Sequence, residues 1–311
     1  MFDNLPAAIA ALLRDPDAAL ADVPAGFQPI ALSHLAEGCV DRAVLDPSTV
    51  PDARACVTTA RKALPRSPHG SLAVAHALIV EEAAVYLGLG SNRDEALVTA
   101  LVDETLDDSL KTAPSFVGSS SRWPADQAAA MYALWLYDNN HGTDRLGPVR
   151  TAHDAVMAER GVATNGLPVS ELGHLAYGDL PRGCALSWTV RYQAAYDPDG
   201  AKALWEKYVK AYFVDLGPMG GFREWPPGVE RAADVDSGPI VFGVGAAATA
   251  FGRIAAAVGD DVIAGKLART ASVGRAAVNA DGEAARLANG TLPATIEWKT
   301  ASAAAQWFPA R

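Results

Sequence analysis

What most constrains this chain is that the connections between its helical segments alternate between tight and long. Alanine-rich apolar stretches recur at helical spacing, and strictly alternating β-branched runs are nearly absent, so helix is expected throughout. The pattern predicts helices over about 30–45, 51–64, 71–87, 93–108, 124–138, 145–159, 184–196, 199–213, 239–257 and 260–274, with further helix near each terminus. The joints DPSTVPD, GLGSNRD, DNNHGTD, DPDG and GDD are tight and built of turn formers. Short joints make neighbouring helices antiparallel. Between them fall three longer irregular segments, PSFVGSSSRWPAD, NGLPVSELGHLAYGDLPRGC and Arg223–Gly238. Each precedes an Ala-, Gly- or Trp-rich helix, whereas partners such as DEALVTALVDETLDD and GAKALWEKYVKAYF are amphipathic. Apolar helices alternating with amphipathic ones predict an inner and an outer ring, an all-α toroid of about five or six antiparallel hairpins. No shift in composition marks a boundary, so residues 1–311 read as one domain.

The long segments would then gather at one end of the toroid, over the N-termini of the inner helices. Those ends carry unsatisfied N–H groups and a partial positive charge, which suits a polar site. Half of the 311 residues are hydrophobic and 20% are charged, enough apolar surface for a sizeable core. A formal charge of -10 argues against nucleic acid or an anionic membrane as partner. Cys39, Cys56 and Cys184 are odd in number, widely spaced and without CxxC, and are expected to form neither a disulfide framework nor a zinc site. The first residues, MFDNLPAAIAALLRDPD, lack the basic and apolar regions of a signal peptide. No uncharged apolar stretch approaches a membrane span. The expected location is the cytoplasm, unless a leader has been removed.

The densest polar segment is Arg223–Gly245, which places Arg223, Glu224, Glu230, Arg231, Asp234 and Asp236 in one loop running into a small-residue helix. So many ionisable groups beside an apolar helix must sit in a polar cavity or pair with one another. Ser237 or Asp236 could cap a helix beginning near Pro239, which would account for one acid but not for the cluster. The DVDS sequence is similar to the DxDD acid motif of protonating terpene cyclases, with Ser237 at the fourth position; a metal-binding DxD lacks a third carboxylate at a diagnostic spacing. Asp126 follows Pro124 in what reads as the first turn of a helix, with Arg122 as a charge partner and Trp123 as an aromatic wall. His76 lies on an otherwise apolar helix and reads first as a core histidine. His141 belongs to a tight joint, and His174 to a long loop. Cys184 opens an inner helix beside Arg182, a setting that lowers a thiol pKa, although a free cysteine is more often a small buried hydrophobe. GxSxG, HExxH and Gly-rich phosphate loops are absent.

The stretch MYALWLYDNNHGTD resembles a block of the linalool dehydratase/isomerase family, a leucine/tryptophan helix ending in YD and a joint ending in HGTD. LSHLAEGCVDRAVLDP, the helix from His76 to LGLGSNRDE, LSWTVRYQAAYDPDGA and the region after DVDSG are similar to further segments of it. The resemblance covers about residues 30–275. It implies an (α/α)6 barrel, a homo-oligomer, and cofactor-independent acid/base elimination of water from a tertiary allylic alcohol, or isomerisation of that alcohol. The family's site uses two cysteines, a histidine, tyrosines and an aspartate. The histidine falls at His76, one cysteine position at Asp126 and a site tyrosine at Cys184, while PSFVGSSS offers serines in place of the other cysteine.

The expected function is therefore a dehydratase, isomerase or protonation-initiated cyclase acting on a mostly apolar, terpenoid-like small molecule without cofactor or metal. Asp126 or Asp236 would be the acid, His76 or another carboxylate the base, and Cys184 a site-lining thiol. Arg122, Trp123, Arg182, Trp188, Arg223, Glu224, Trp225 and Asp234 would bind substrate. Arg122, Asp126, Arg182, Cys184, Glu224, Asp234 and Asp236 are expected to converge with His76 at the inner-helix N-termini. Two alternatives are a glycoside hydrolase with Asp126 and Asp236 as its carboxylate pair, lined by Trp123, Trp188 and Trp225, and a non-catalytic toroid that binds a ligand.

Overall fold

The computed structural model describes residues 13–21, 23, 25–173, 180–234, 236–281 and 307–308. The chain is mostly helical. A short α1 (Pro16–Leu20) leads into α2 (Gln28–Leu45), α3 (Val50–Ala63), α4 (Ser71–Tyr86), α5 (Asp94–Asp107), α6 (Pro124–His141), α7 (Leu146–Arg160), α8 (Gly183–Tyr196) and α9 (Pro198–Tyr212). Two hairpins follow, β1 (Phe213–Leu216) with β2 (Met219–Phe222) and β3 (Ile240–Val241) with β4 (Val244–Gly245). Then come α10 (Ala246–Ala255) and α11 (Asp261–Asp281).

From α2 onward the even-numbered helices pack on one another in succession, α2 on α4, α4 on α6, α6 on α8 and α8 on α10, and each is backed by the helix after it. Burial follows this division. Every residue of α4 from Ser71 to Ala84 is buried, whereas α7 buries only Val149 and His153. A helix apolar all round must be surrounded, and a helix with one apolar stripe faces solvent on its other side. One core cluster fills the space between the even helices; a second lies behind α8 and α10, where Leu186 and Val190 meet Leu204, Trp205, Tyr208 and Leu267. The tight joints lie at the C-terminal ends of the even helices and the long segments at their N-terminal ends.

Local chemistry explains the joints. At the end of α6, Gly142 takes φ 68, and Asp138 accepts the backbone N–H groups of Arg145 and Leu146 at 2.8 and 2.9 Å. One aspartate thus closes one helix and starts the next, and α6 runs to His141, past the expected end at 138.

Two expectations are corrected. The helix expected over 239–257 begins only at Ala246, because β3 and β4 precede it, joined through Phe242 at φ 51 and Gly243 at φ 79. Two-residue hairpin turns require such positive values. Strands of two to four residues are too short to show alternation, so helix throughout was an overstatement. The cysteines are the second correction: Cys39 and Cys56 form a disulfide across the α2–α3 hairpin, with their Cα atoms 6.5 Å apart. Their wide spacing in sequence is undone by the tight joint, which folds α3 back along α2. Among the described residues, no helix is long and apolar enough to cross a membrane. His174 lies outside the described residues.

Candidate functional site

A cavity of about 310 Å³ lies at the loop end of the even helices. Its lining comes largely from first turns: Ile30 of α2, Leu72 of α4, Ala125 and Asp126 of α6, Cys184 and Ala185 of α8. Trp188 and Phe251 lie deeper, and Phe27, Phe116 and Trp123 come from the segments before the helices. The wall is apolar except for Asp126, Asp236, Arg182 and Cys184.

Asp126 sits in the first turn of α6, two residues past the helix-starting Pro124. It is half-buried, and its Oδ2 accepts the hydroxyl proton of Ser115 at 2.5 Å. Burial pushes its carboxyl up to about 7, and the nearby charge of Asp236 raises it further against the lowering effect of Ser115. Among the described residues it has no cationic partner within ion-pair distance. Asp126 is therefore a carboxyl poised between acid and base at neutral pH.

Arg182 organises the opposite wall. Its Nε donates to Glu224 Oε1 and its Nη2 to Asp234 Oδ1, both at 2.9 Å, and its guanidinium stacks on Trp225 at 4.8 Å. The loop can approach this closely because Gly183 has no side chain: a Cβ there would fall 1.9 Å from Arg223 O. Burial opposes the charge of Asp234, but Arg182 and backbone N–H donation outweigh it and hold the carboxyl below its usual range. Asp234 Oδ1 accepts the N–H groups of Asp236 and Ser237 at 3.1 and 2.9 Å, which fixes Asp236 at the cavity. Neither Asp236 nor Ser237 caps a helix, so that reading is corrected: they form a turn closed by Asp234. Burial raises the Asp236 carboxyl, while Arg182 pulls it down.

The expected convergence is partial. Asp126, Asp236, Arg182, Cys184, Trp123 and Trp188 share the cavity. Glu224 is fully buried behind the wall as the partner of Arg182. Arg122 turns away: its guanidinium pairs with Asp108 at 2.8 Å and donates to Ser119 O, so it is not the charge partner of Asp126. Arg223 and Trp225 line a separate concavity of about 490 Å³ beside Phe242. Activation of Cys184 is also corrected. Burial, reinforced by the charge of Glu224, raises its thiol well above the usual value, against the weaker pull of Arg182, so it stays protonated.

His76 lies one layer below the cavity, edge-to-face with Trp188 at 5.6 Å. Ser33 Oγ lies 2.7 Å from His76 Nδ1 and 2.9 Å from Ile30 O, so it ties the His76 ring to the backbone of α2. His76 Nε2 has no hydrogen-bond partner among the described residues. Burial, with the neighbouring His34 and Arg191, holds the imidazole well below its usual pKa and thus neutral. His34 stacks on it at 6.1 Å and reaches the Tyr192 hydroxyl at 3.1 Å. Below these, Arg191 pairs with Glu37 at 2.6 Å and lies over Tyr192 and Tyr132. Sequence reasoning did not single out Ser115, His34 or Tyr192. For the histidines a signal was present: both sit in the second turn of even-numbered helices, at matching depth from the loop end.

In comparisons with known proteins, no family model and no curated protein matches this chain.

Proposed function

We propose that this chain is a dehydratase, isomerase or protonation-initiated cyclase acting by general acid/base chemistry on an apolar, terpenoid-like alcohol or alkene, on an (α/α)6 barrel as the linalool dehydratase/isomerase resemblance implies. The observation that carries this reading is Asp126, a carboxyl that burial pushes up to about 7 in the wall of a mostly apolar cavity. Asp126 protonates the substrate hydroxyl or alkene; with an alcohol, the C–O bond breaks and water leaves. The resulting cation is stabilised by the aromatic rings of Trp123 and Trp188, which line the cavity. Asp236, the other carboxyl in the cavity wall, takes the proton from the neighbouring carbon; burial raises its pKa, which makes it a stronger base once ionised, and the charge of Arg182 only partly offsets this. His76 is separated from the cavity by Trp188, which makes Asp236 the better base. One contact between the first and last of the even helices supports the barrel reading: His34 of α2 and Phe251 of α10 bring their rings to 5.9 Å.

The apolar wall favours this reading over a glycoside hydrolase, since Trp225 packs against Arg182 instead of offering a stacking platform in the cavity. The Cys39–Cys56 bond supports an oxidising compartment over the cytoplasm. The test is to incubate the full chain with a panel of prenyl and terpenoid alcohols in deuterated water and to analyse the products by mass spectrometry. Conversion to a water-loss, rearranged or cyclised product is expected from the wild type and not from Asp126→Asn, with deuterium on carbon only where an alkene has been protonated. Near-normal turnover by Asp126→Asn would remove Asp126 from the mechanism.

A further inference from the structure

A second group of chemistry-bearing side chains lies at the tight-joint end, apart from the cavity. Glu82 stands near the C-terminus of α4, Asp94 opens α5 and His141 closes α6, so three successive helices meet there. His141 Nε2 lies 3.4 Å from Glu82 Oε2 and 3.3 Å from Asp94 Oδ2. All three potential ligand atoms fall within 4.8 Å of one another. In a tetrahedral site with bonds of about 2.0–2.1 Å, adjacent ligand atoms stand about 3.3–3.4 Å apart, which is the spacing from the imidazole to each carboxylate.

The surroundings point the same way. Glu82 is fully buried, with its carboxylate directed at His141 and its Oε1 without a hydrogen-bond partner among the described residues. Asn140 Nδ2 donates to Glu82 Oε2 at 2.8 Å and to Glu82 O at 3.0 Å, the kind of outer hydrogen bond that orients a ligating carboxylate. The Tyr137 ring stacks on His141 with centroids 4.2 Å apart and fixes the plane of the imidazole. The nearby cations are engaged elsewhere, since Arg61 and Arg93 reach Glu81 at 2.7 and 3.7 Å. A protonated imidazole offers one Nε2–H to two carboxylates and leaves the buried Oε1 unmatched; a divalent cation satisfies both acids together.

We infer that Glu82, Asp94 and His141 form a binding site for one divalent first-row transition cation, of which Zn²⁺ fits best, clipping α4, α5 and α6 together at the end opposite the cavity. The imidazole selects against the hard cations Mg²⁺ and Ca²⁺, which prefer all-oxygen sites. The fourth position faces the exposed side of the cluster, where His141 sits.

The experiment is calorimetric titration of the chelator-stripped full chain with Zn²⁺ and, in parallel, with Mg²⁺, followed by thermal unfolding with and without Zn²⁺. One zinc per chain is expected, with affinity at least about 10-fold above that of Mg²⁺ and at least about 10-fold above that of His141→Ala or Glu82→Gln. Zinc should raise the unfolding midpoint of the wild type and leave that of His141→Ala unchanged. His141 is exposed, so its alanine variant keeps the test readable if Glu82→Gln fails to fold. Absence of zinc binding by the wild type, zinc binding that His141→Ala leaves unchanged, or equal binding of Mg²⁺ would overturn the assignment.

Discussion

The two ends of the even helices each hold a carboxyl that burial pushes up to about 7, Asp126 at the loop end and Glu82 at the tight-joint end. Their surroundings differ. Asp126 faces a mostly apolar cavity of about 310 Å³, and among the described residues its carboxylate accepts a hydrogen bond from the Ser115 hydroxyl alone. Glu82 is held by Asn140 and confronted by His141 and Asp94. A raised carboxyl pKa is therefore not by itself a sign of catalysis. What makes Asp126 the candidate acid is the cavity beside its proton; what marks Glu82 is the imidazole and second carboxylate beside it.

The largest expected effect is at the loop end. Asp126→Asn should lower turnover of any converted alcohol by about 100- to 10,000-fold, the range a positioned acid supplies. A surface change at the tight-joint end, His141→Ala, should leave turnover within about threefold, on the ordinary scale of substitutions away from a site. Equal losses from both variants, measured as kcat/KM, would erase the distinction between the ends. The wild-type rate should also fall as pH rises through about 7, when Asp126 loses its proton, and the corresponding limb should vanish in any residual activity of Asp126→Asn.

Next in size is Arg182→Met, which strands the buried carboxylate of Glu224 and should destabilise the fold by about 3–5 kcal/mol in urea titrations. Glu224→Gln in the same background should recover part of that loss. Without such recovery, the pair is not what holds the cavity wall. At the opposite end, reduction of the Cys39–Cys56 bond, which closes a separation of 17 residues, should cost about 3 kcal/mol. Cys184→Ser at the cavity should cost less than reduction does, because this thiol is uncharged and unbridged.

The smallest effect is a pH-dependent one. Asp126 binds its proton more tightly folded, near pH 7, than unfolded, near the ordinary aspartate value of 3.8. Its contribution to stability is therefore full below about pH 4 and lost as pH rises toward 7. Relative to wild type, Asp126→Asn should gain about 1–2 kcal/mol between pH 4 and pH 8, a range that allows for the partial exposure of the carboxyl. Parallel pH–stability curves for the two proteins would show that Asp126 titrates normally.

Much of this was legible in local composition. The apolar helix around His76 had to be surrounded, the turn formers at DPSTVPD and DNNHGTD had to reverse the chain, and Pro124 had to start a helix, because periodicity and backbone sterics act over a few residues. The loop end was likewise readable as the place where Asp126, Arg182, Cys184 and Asp236 collect. What the tertiary structure alone decided was which charges pair. Arg122 adjoins Asp126 in sequence yet reaches Asp108, while Arg182 bridges Glu224 and Asp234 from far along the chain. The Cys39–Cys56 bond, the His34–His76 stack and the meeting of His141 with Glu82 are of the same kind. Side-chain pairing and burial depend on distances between helices set by packing of the whole core, and these distances fix where a proton is held; neither is encoded in the neighbours of any one residue.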